Sequence, residues 1–258
     1  MSFRALCIVF SFMTFFLYVV LVGSLFYFLD RTVFVERLLS ERALFSIQLS
    51  ILAASVATLI SVIVAVPSAF ALSRFAFPGR GIVDTMLELP MIVSPAALGA
   101  MILIFFNNPV GEWIQTNWQQ FVFTVYGIIL AQFVTTCGIA TRLIKAAMDE
   151  IPVRYEAVAR SLGATPAKAF LTITLPMSKR GILAASILTW AKALGEFGAT
   201  MTVAGSMAMN TETLPIAIFM RLSTADIEGT VALILILISI GITLLYAVRL
   251  LTRNTHYA

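Results

Sequence analysis

The sequence predicts an all-α membrane protein with six transmembrane helices in a single transmembrane domain, 1–258. Two observations carry that class. The chain is 60% hydrophobic and only 12% charged, whereas a soluble domain carries roughly 25% charged residues. Six segments also approach the ~20 mostly apolar residues needed to cross a bilayer: 5–29, 46–72, 82–106, 122–144, 181–203 and 230–250. The basic residues supply an orientation. With the N-terminus inside, Arg4, Arg74, Arg80, Arg142, Lys145, Arg154, Arg160, Lys168, Lys179, Arg180, Arg249 and Arg253 face the cytoplasm, against Arg31, Arg37, Arg42 and Arg221 outside. That bias predicts cytoplasmic N- and C-termini in a multi-pass protein of the cell (plasma or inner) membrane.

Several function classes fall away. The net charge of +4 belongs to the loops and implies no nucleic-acid partner. Cys7 and Cys137 lie inside apolar runs with neither disulfide nor metal spacing, and His256 is the sole histidine, which leaves no histidine-based metal or acid–base centre. The run 5–29 is too long for a signal-peptide core and reads as a retained first span.

After it, 30–45 alternates acids and bases, the pattern of an amphipathic surface segment. The second span ends near Ser73-Arg74, and Phe77-Pro78-Gly79-Arg80 reads as a tight inner turn. The third span holds Glu88-Leu-Pro-Met-Ile-Val-Ser-Pro95. Pro90 and Pro95 remove two backbone donors and open or bend the helix, either to shape packing or to flank a pathway beside Ser94. Glu88 sits near the inner end, within reach of headgroups or a neighbouring cation. Trp113 and Trp118 in the loop 107–120 suit interface anchors, and Tyr126 and Arg142 frame the fourth span.

The fifth span carries Lys192 and Glu196, four apart. At 1.5 Å per residue, Lys192 lies roughly 17 Å from Gly181, a depth at which charges face a bundle interior or a wet cavity. A continuous helix puts Ala185, Thr189, Lys192, Glu196, Ala199 and Val203 on one small, polar stripe, with Gly195 and Gly198 offering close approach. Two readings fit: a structural ion pair at a helix interface, or a pair bordering a transport path or its gate. The loop 204–227 contains TETLPIAIFM, which can form a short helix, and the sixth span is plainly apolar.

The longest polar interval is 151–176, IPVRYEAVARSLGATPAKAFLTITLP. Glu156 to Leu162 can form a short helix ended by Gly163, a second can run from Thr165 to Ile173, and Pro176 closes the unit before the next span. The helical part exposes an apolar face (Ala157, Val158, Leu162), and Arg160 can pair with Glu156 at i,i+4. Gly163, nine intervening residues, Ile173, Leu175 and Pro176 resemble the cytoplasmic loop of ATP-binding-cassette importer permeases, whose pattern is E-A-A, three residues, G, nine residues, I-x-L-P. Glu156 stands seven residues before Gly163 instead of six, with Ala157-Val158-Ala159 at the E-A-A positions.

The resemblance implies a type I importer fold with a coupling loop, 147–180, whose short helix docks in a groove of a separate ATPase subunit. It further implies a second copy of the permease, two ATP-binding-cassette subunits that hold ATP and magnesium, and an external oxyanion-binding protein. This chain has no G-x-x-x-x-G-K-[ST] phosphate loop and implies no cofactor of its own. Lys192-Ala-Leu-Gly-Glu-Phe-Gly-Ala-Thr200 and Leu89-Pro-Met-Ile-Val-Ser-Pro-Ala-Ala-Leu-Gly99 are similar to stretches of molybdate, tungstate and sulfate permeases. The expectation is a non-catalytic permease for molybdate or tungstate, or for sulfate or thiosulfate. A secondary transporter with Lys192 and Glu196 as a proton-coupled pair is the competing reading, and it leaves the loop unexplained. A membrane-embedded enzyme lacks any ligand-spaced cluster.

Overall fold

The computed structural model describes residues 3–28, 34, 36 and 39–252. Residues 30–33, 35, 37 and 38 of the expected amphipathic segment, Arg31 and Arg37 included, and the tail with Arg253 and His256 lie outside the described residues. Among those described, every regular element is a helix.

Four helices are long and apolar enough to span: α1 (Phe3–Leu25, prolonged by a 3-10 turn to Phe28), α2 (Glu41–Arg74), and two later ones that become α7 (Val125–Asp149) and α13 (Ile227–Thr252). Two further spans are broken. The third consists of α3 (Arg80–Leu87), α4 (Leu89–Ile92) and α5 (Pro95–Phe106), bent by 113° between Ile92 and Pro95. The fifth consists of α9 (Pro166–Ala169), a π turn at Phe170–Thr174, α10 (Leu175–Leu194) and α11 (Gly198–Ala204), bent by 57° after Leu194. Each bent pair counted as one crossing completes six spans. Shorter helices lie between them: α6 (Pro109–Asn117), α8 (Arg154–Ser161) and α12 (Leu214–Ser223).

The organising contact is α2 along α7. α2 offers Ala53, Ala57, Ala65 and Ala69, all fully buried, and such small residues let helix backbones approach closely in lipid. A Ser61–Thr136 hydroxyl pair at 3.1 Å crosses the seam. Ala65, Ala69, Ala140, Ile144, Met148 and Ala185 close the core toward the long polar loop. α1 buries none of its residues against the chain. The turn at Phe77–Arg80 forms as expected, with Arg80 N–H donating to Phe77 O at 3.2 Å and Gly79 at φ +84.

Three expectations need correcting. The helix of the fourth span starts at Val125 and runs on past residue 144 to Asp149, with Lys145 and Asp149 paired at i,i+4 (3.0 Å) in its last turns. The fifth span is not one helix: α10 ends at Gly195, whose N–H donates to Ala191 O, and the chain turns through Glu196 and Phe197 before α11 begins. Pro176 does not close the loop, since helix runs continuously from Pro166 to Leu194. The π turn explains why. Leu175 N–H reaches back five residues to Phe170 O, and the widened turn accommodates a ring that would collide with the preceding turn of a regular helix.

Candidate functional site

Two places gather the residues singled out above, one on the loop and one where the two broken spans meet.

On the loop, α8 spans Arg154–Ser161 with Leu162 as its C-terminal cap, and Gly163 adopts φ +89. Ala164 N–H donates to Ala159 O and Gly163 N–H to Arg160 O, so the glycine's left-handed conformation closes the helix and reverses the chain. A side chain there would meet nothing within 4 Å, so the backbone angle alone selects glycine. Thr165 then caps α9, accepting from Lys168 N–H at 3.2 Å. Leu162 is 84% exposed, and Val153, Val158 and Leu171 are also exposed large apolar side chains. Ala157 and Gly163 are exposed and Ala159 half-buried; farther on, Ile173 and Leu175 are half-buried and Pro176 exposed.

The expected Glu156–Arg160 pair does not form. Glu156 turns inward and is 8% exposed, accepting from Arg74 Nε at 2.7 Å and from the Thr174 hydroxyl at 2.6 Å. The physical reason is donor supply. Arg74 is held at the end of α2 with only 5% of its side chain exposed, so leaving it unpaired costs far more than leaving the exposed Arg160 to solvent. Arg74 also donates through Nη2 to the carbonyls of Met148 and Ile151, both at 2.9 Å, and through Nη1 to Ser73 Oγ at 2.8 Å. Ser73 in turn donates to Asp149. Sequence reasoning took Arg74 as one more inner-loop cation and missed Thr174 altogether; no periodicity links residues 82 positions apart.

At the second place the two breaks face each other. Ser94, in extended conformation, caps α5 by accepting from Ala97 N–H at 3.3 Å, with Pro95 opening the helix. A Cβ on Gly198 would stand 3.0 Å from Ala96 N and 3.2 Å from Pro95 Cβ, and one on Gly99 would stand 2.8 Å from Thr202 Cβ. The expected close approach is thus real at Gly198, while Gly195 serves to end α10. Pro90 lies in α4, half-buried, and Gly138 of α7 backs onto the α3–α4 junction so closely that a Cβ would collide with Leu87 O. Glu88 pairs with Arg142 across the same junction, which answers the open question about its partner.

Lys192 and Glu196 do pair, Nζ to Oε2 at 3.1 Å. They do not extend one helical stripe. Glu196 lies in the break, 1% exposed, and its other oxygen accepts from Ala199 N–H at 3.1 Å. It therefore caps α11, covering an N–H of that helix's first turn that has no intrahelical partner. Thr189 and Ala199 are fully buried, whereas the Lys192 side chain is 44% exposed. Of the expected pathway residues, Lys192 and Ser94 are the open ones within this chain.

A third polar anchor had no counterpart in the sequence reading. Glu212, fully buried just before α12, receives both Nε (2.7 Å) and Nη2 (2.6 Å) of Arg42. Ser50 Oγ of α2 accepts from Leu214 N–H at 2.6 Å. These bonds tie the expected short helix, seen at Leu214–Ser223, to the first turns of α2.

Multiple spans, two of them broken and interlocked, with a helix–Gly–helix loop presenting apolar side chains, suit a membrane-spanning transport component. Residues 57–257 match the family described as the binding-protein-dependent transport system inner membrane component, and the chain belongs to that family of ATP-binding-cassette importer permeases. The molybdenum transport system permease protein ModB of Escherichia coli (strain K12) is 32% identical over 206 residues, covering 78% of this chain and 88% of the relative. The sulfate transport system permease protein CysT of the same organism is 29% identical over 206 residues, covering 79% and 74%. Among solved structures, a bacterial ABC transporter that imports the acidic polysaccharide alginate superposes with a TM-score of 0.78 at 18% identity, covering 98% of this chain and 95% of that one. The type I importer fold expected from the sequence is the fold observed.

Proposed function

We propose that this chain is the permease of an ATP-driven importer of a tetrahedral oxyanion, molybdate or tungstate, and that it is powered through α8. The observation that carries the coupling half is α8 itself: a short helix at a polar end of the bundle, closed by Gly163 at φ +89, with Leu162 84% exposed and Val158 beside it uncovered. An apolar helix face held rigidly outside the fold suits insertion into a groove of a partner. The ATPase-coupling residues on this reading are Glu156 through Arg160, Leu162, Gly163, Ile173, Leu175 and Pro176. The partner binds ATP and magnesium; this chain holds neither and catalyses nothing.

The positive-inside bias supports α8 and both termini on the cytoplasmic side. Two copies of the chain, two ATPase subunits and an external oxyanion-binding protein make up the working importer. The path follows the paired breaks, with Ser94 and Lys192 bordering it and Pro90, Pro95, Thr189, Glu196 and Ala199 packed behind them, and the half-exposed Lys192 ammonium lowering the barrier to an anion. The similarity to the molybdenum permease supports molybdate; that to the sulfate permease favours sulfate as the second reading, since the external protein does most of the selecting.

The test is reconstitution with the ATPase subunit and binding protein in proteoliposomes, comparing uptake of molybdate, tungstate and sulfate. ATP-dependent uptake of molybdate or tungstate, not displaced by excess sulfate, is expected. Sulfate uptake alone transfers the assignment to the second reading. Uptake driven by a proton gradient without ATP overturns the proposal.

A further inference from the structure

Arg74 stands where four elements meet. It is the last residue of α2. Its guanidinium reaches the carbonyls of Met148 and Ile151 at the end of α7, and the carboxylate of Glu156 on α8. Thr174, at the foot of α10, donates to the same Glu156 oxygen. Every nitrogen of the guanidinium is engaged, because Nη1 holds Ser73, and Glu156 and Thr174 are themselves buried. Beside this polar junction, Phe70 of α2 packs against Phe170 of the π turn at 4.4 Å between ring centres. Apolar surfaces slide; a planar fork with fixed acceptors on three elements does not.

We infer that Arg74 is the positioning residue that transmits movement of α8 into the spans. Its fork makes the ends of α2 and α7, α8 and the start of α10 one rigid body, so that displacing α8 displaces the second, fourth and fifth spans together. Arg74 does not touch the ATPase subunit or the substrate; it acts through Glu156. The inference rests on the coupling role proposed for α8.

Transmission and stability are separable here. A buried pair replaced by apolar residues of similar size is often as stable as before, whereas removing one partner strands a charge. The informative variant is therefore Arg74→Met/Glu156→Leu, purified with the ATPase subunit, reconstituted, and supplied with the binding protein and radiolabelled molybdate or sulfate. The quantity read is anion imported per ATP hydrolysed. A variant that only folds less well loses uptake and hydrolysis in proportion and keeps this ratio; one that cannot transmit keeps hydrolysis and loses uptake. We expect the ratio to fall at least tenfold with the ATPase subunit still bound. Arg74→Lys, which keeps the charge and loses the fork, falls between the double variant and the wild type, and it alone decides the question if the double variant does not assemble. A wild-type ratio in the double variant, or in Arg74→Lys when that stands alone, overturns the inference and leaves the coupling role of α8 intact. A wild-type complex without ATP-dependent uptake overturns both.

Discussion

Glu196 has two jobs, and they can be pulled apart. Its Oε1 accepts from Ala199 N–H, and its Oε2 pairs with Lys192. Glu196→Ala strips the cap from α11 and leaves a donor on a fully buried residue without its partner. A hydrogen bond to a charged group contributes about 1.5–3 kcal/mol. The Lys192 side chain is 44% exposed, so the ion pair adds at most ~1 kcal/mol. The expected loss is about 1.5–4 kcal/mol. Glu196→Gln keeps an oxygen for Ala199 and gives up only the charge, for a loss of about 1 kcal/mol. The consequence concerns double variants. Lys192→Ala/Glu196→Ala stays as destabilised as Glu196→Ala, although it removes both charges, because the cap is still missing; Lys192→Ala/Glu196→Gln loses little more than Glu196→Gln, because the cap is kept. Unfolding in mixed detergent micelles reads the difference, with Trp190 of α10, bonded to Ser55 at 3.0 Å, as one of the fluorescent reporters. Equal destabilisation by Glu196→Ala and Glu196→Gln would refute the capping argument and return Glu196 to a simple ion-pair partner.

Other expectations follow from the same geometry. Gly163→Pro, at a φ that proline cannot adopt, is expected to abolish ATP-dependent uptake with membrane insertion intact; unchanged uptake counts against α8 as the docking element. Gly163→Asn, a residue that tolerates the left-handed region, should keep most of it. Leu162→Asp places a charge on the most exposed apolar side chain of the loop and should abolish co-purification with the ATPase subunit at unchanged permease yield. Gly138→Val drives a side chain into the Leu87 carbonyl and should cost at least ~1–3 kcal/mol, read as a lower unfolding midpoint; a neutral result would mean that the third span moves freely against α7.

The spans were legible because an apolar run of some twenty residues admits few other uses. The break in the third span was legible for a similar reason: Pro90 and Pro95 cannot both sit inside a regular helix. The break in the fifth was not. Gly-Glu-Phe-Gly carries no proline, and glycine within a membrane helix commonly marks close packing, so the four-residue spacing of Lys192 and Glu196 suggested a continuous stripe. The pairing was right and the scaffold beneath it was wrong, since a carboxylate can reach back to a lysine from a turn as well as from a helix. On the loop, the turn at Gly163 followed from helix–Gly–helix spacing, but the fate of Glu156 did not. Arg160 was the obvious partner by local spacing, and the long-range competitor Arg74 wins because burial raises the value of a fixed fork. The Arg42–Glu212 anchor was hidden for the same reason, being a contact across 170 positions.

The π turn at Phe170–Thr174 also sets an angle. It holds one residue more than a regular turn would, and each residue of an α-helix advances about 100° around the axis. Deleting a single residue there would let the helix run regularly from Pro166 and swing everything before it by roughly that angle relative to α10. Thr174, at the C-terminal edge of the turn, would lose its line to Glu156, and the uncovered face of α8 would point elsewhere. The bearing of the loop on the bundle is thus stored in a count of residues rather than in any side chain. Conservative substitutions inside the turn should leave that bearing unchanged, and a one-residue deletion should reset it.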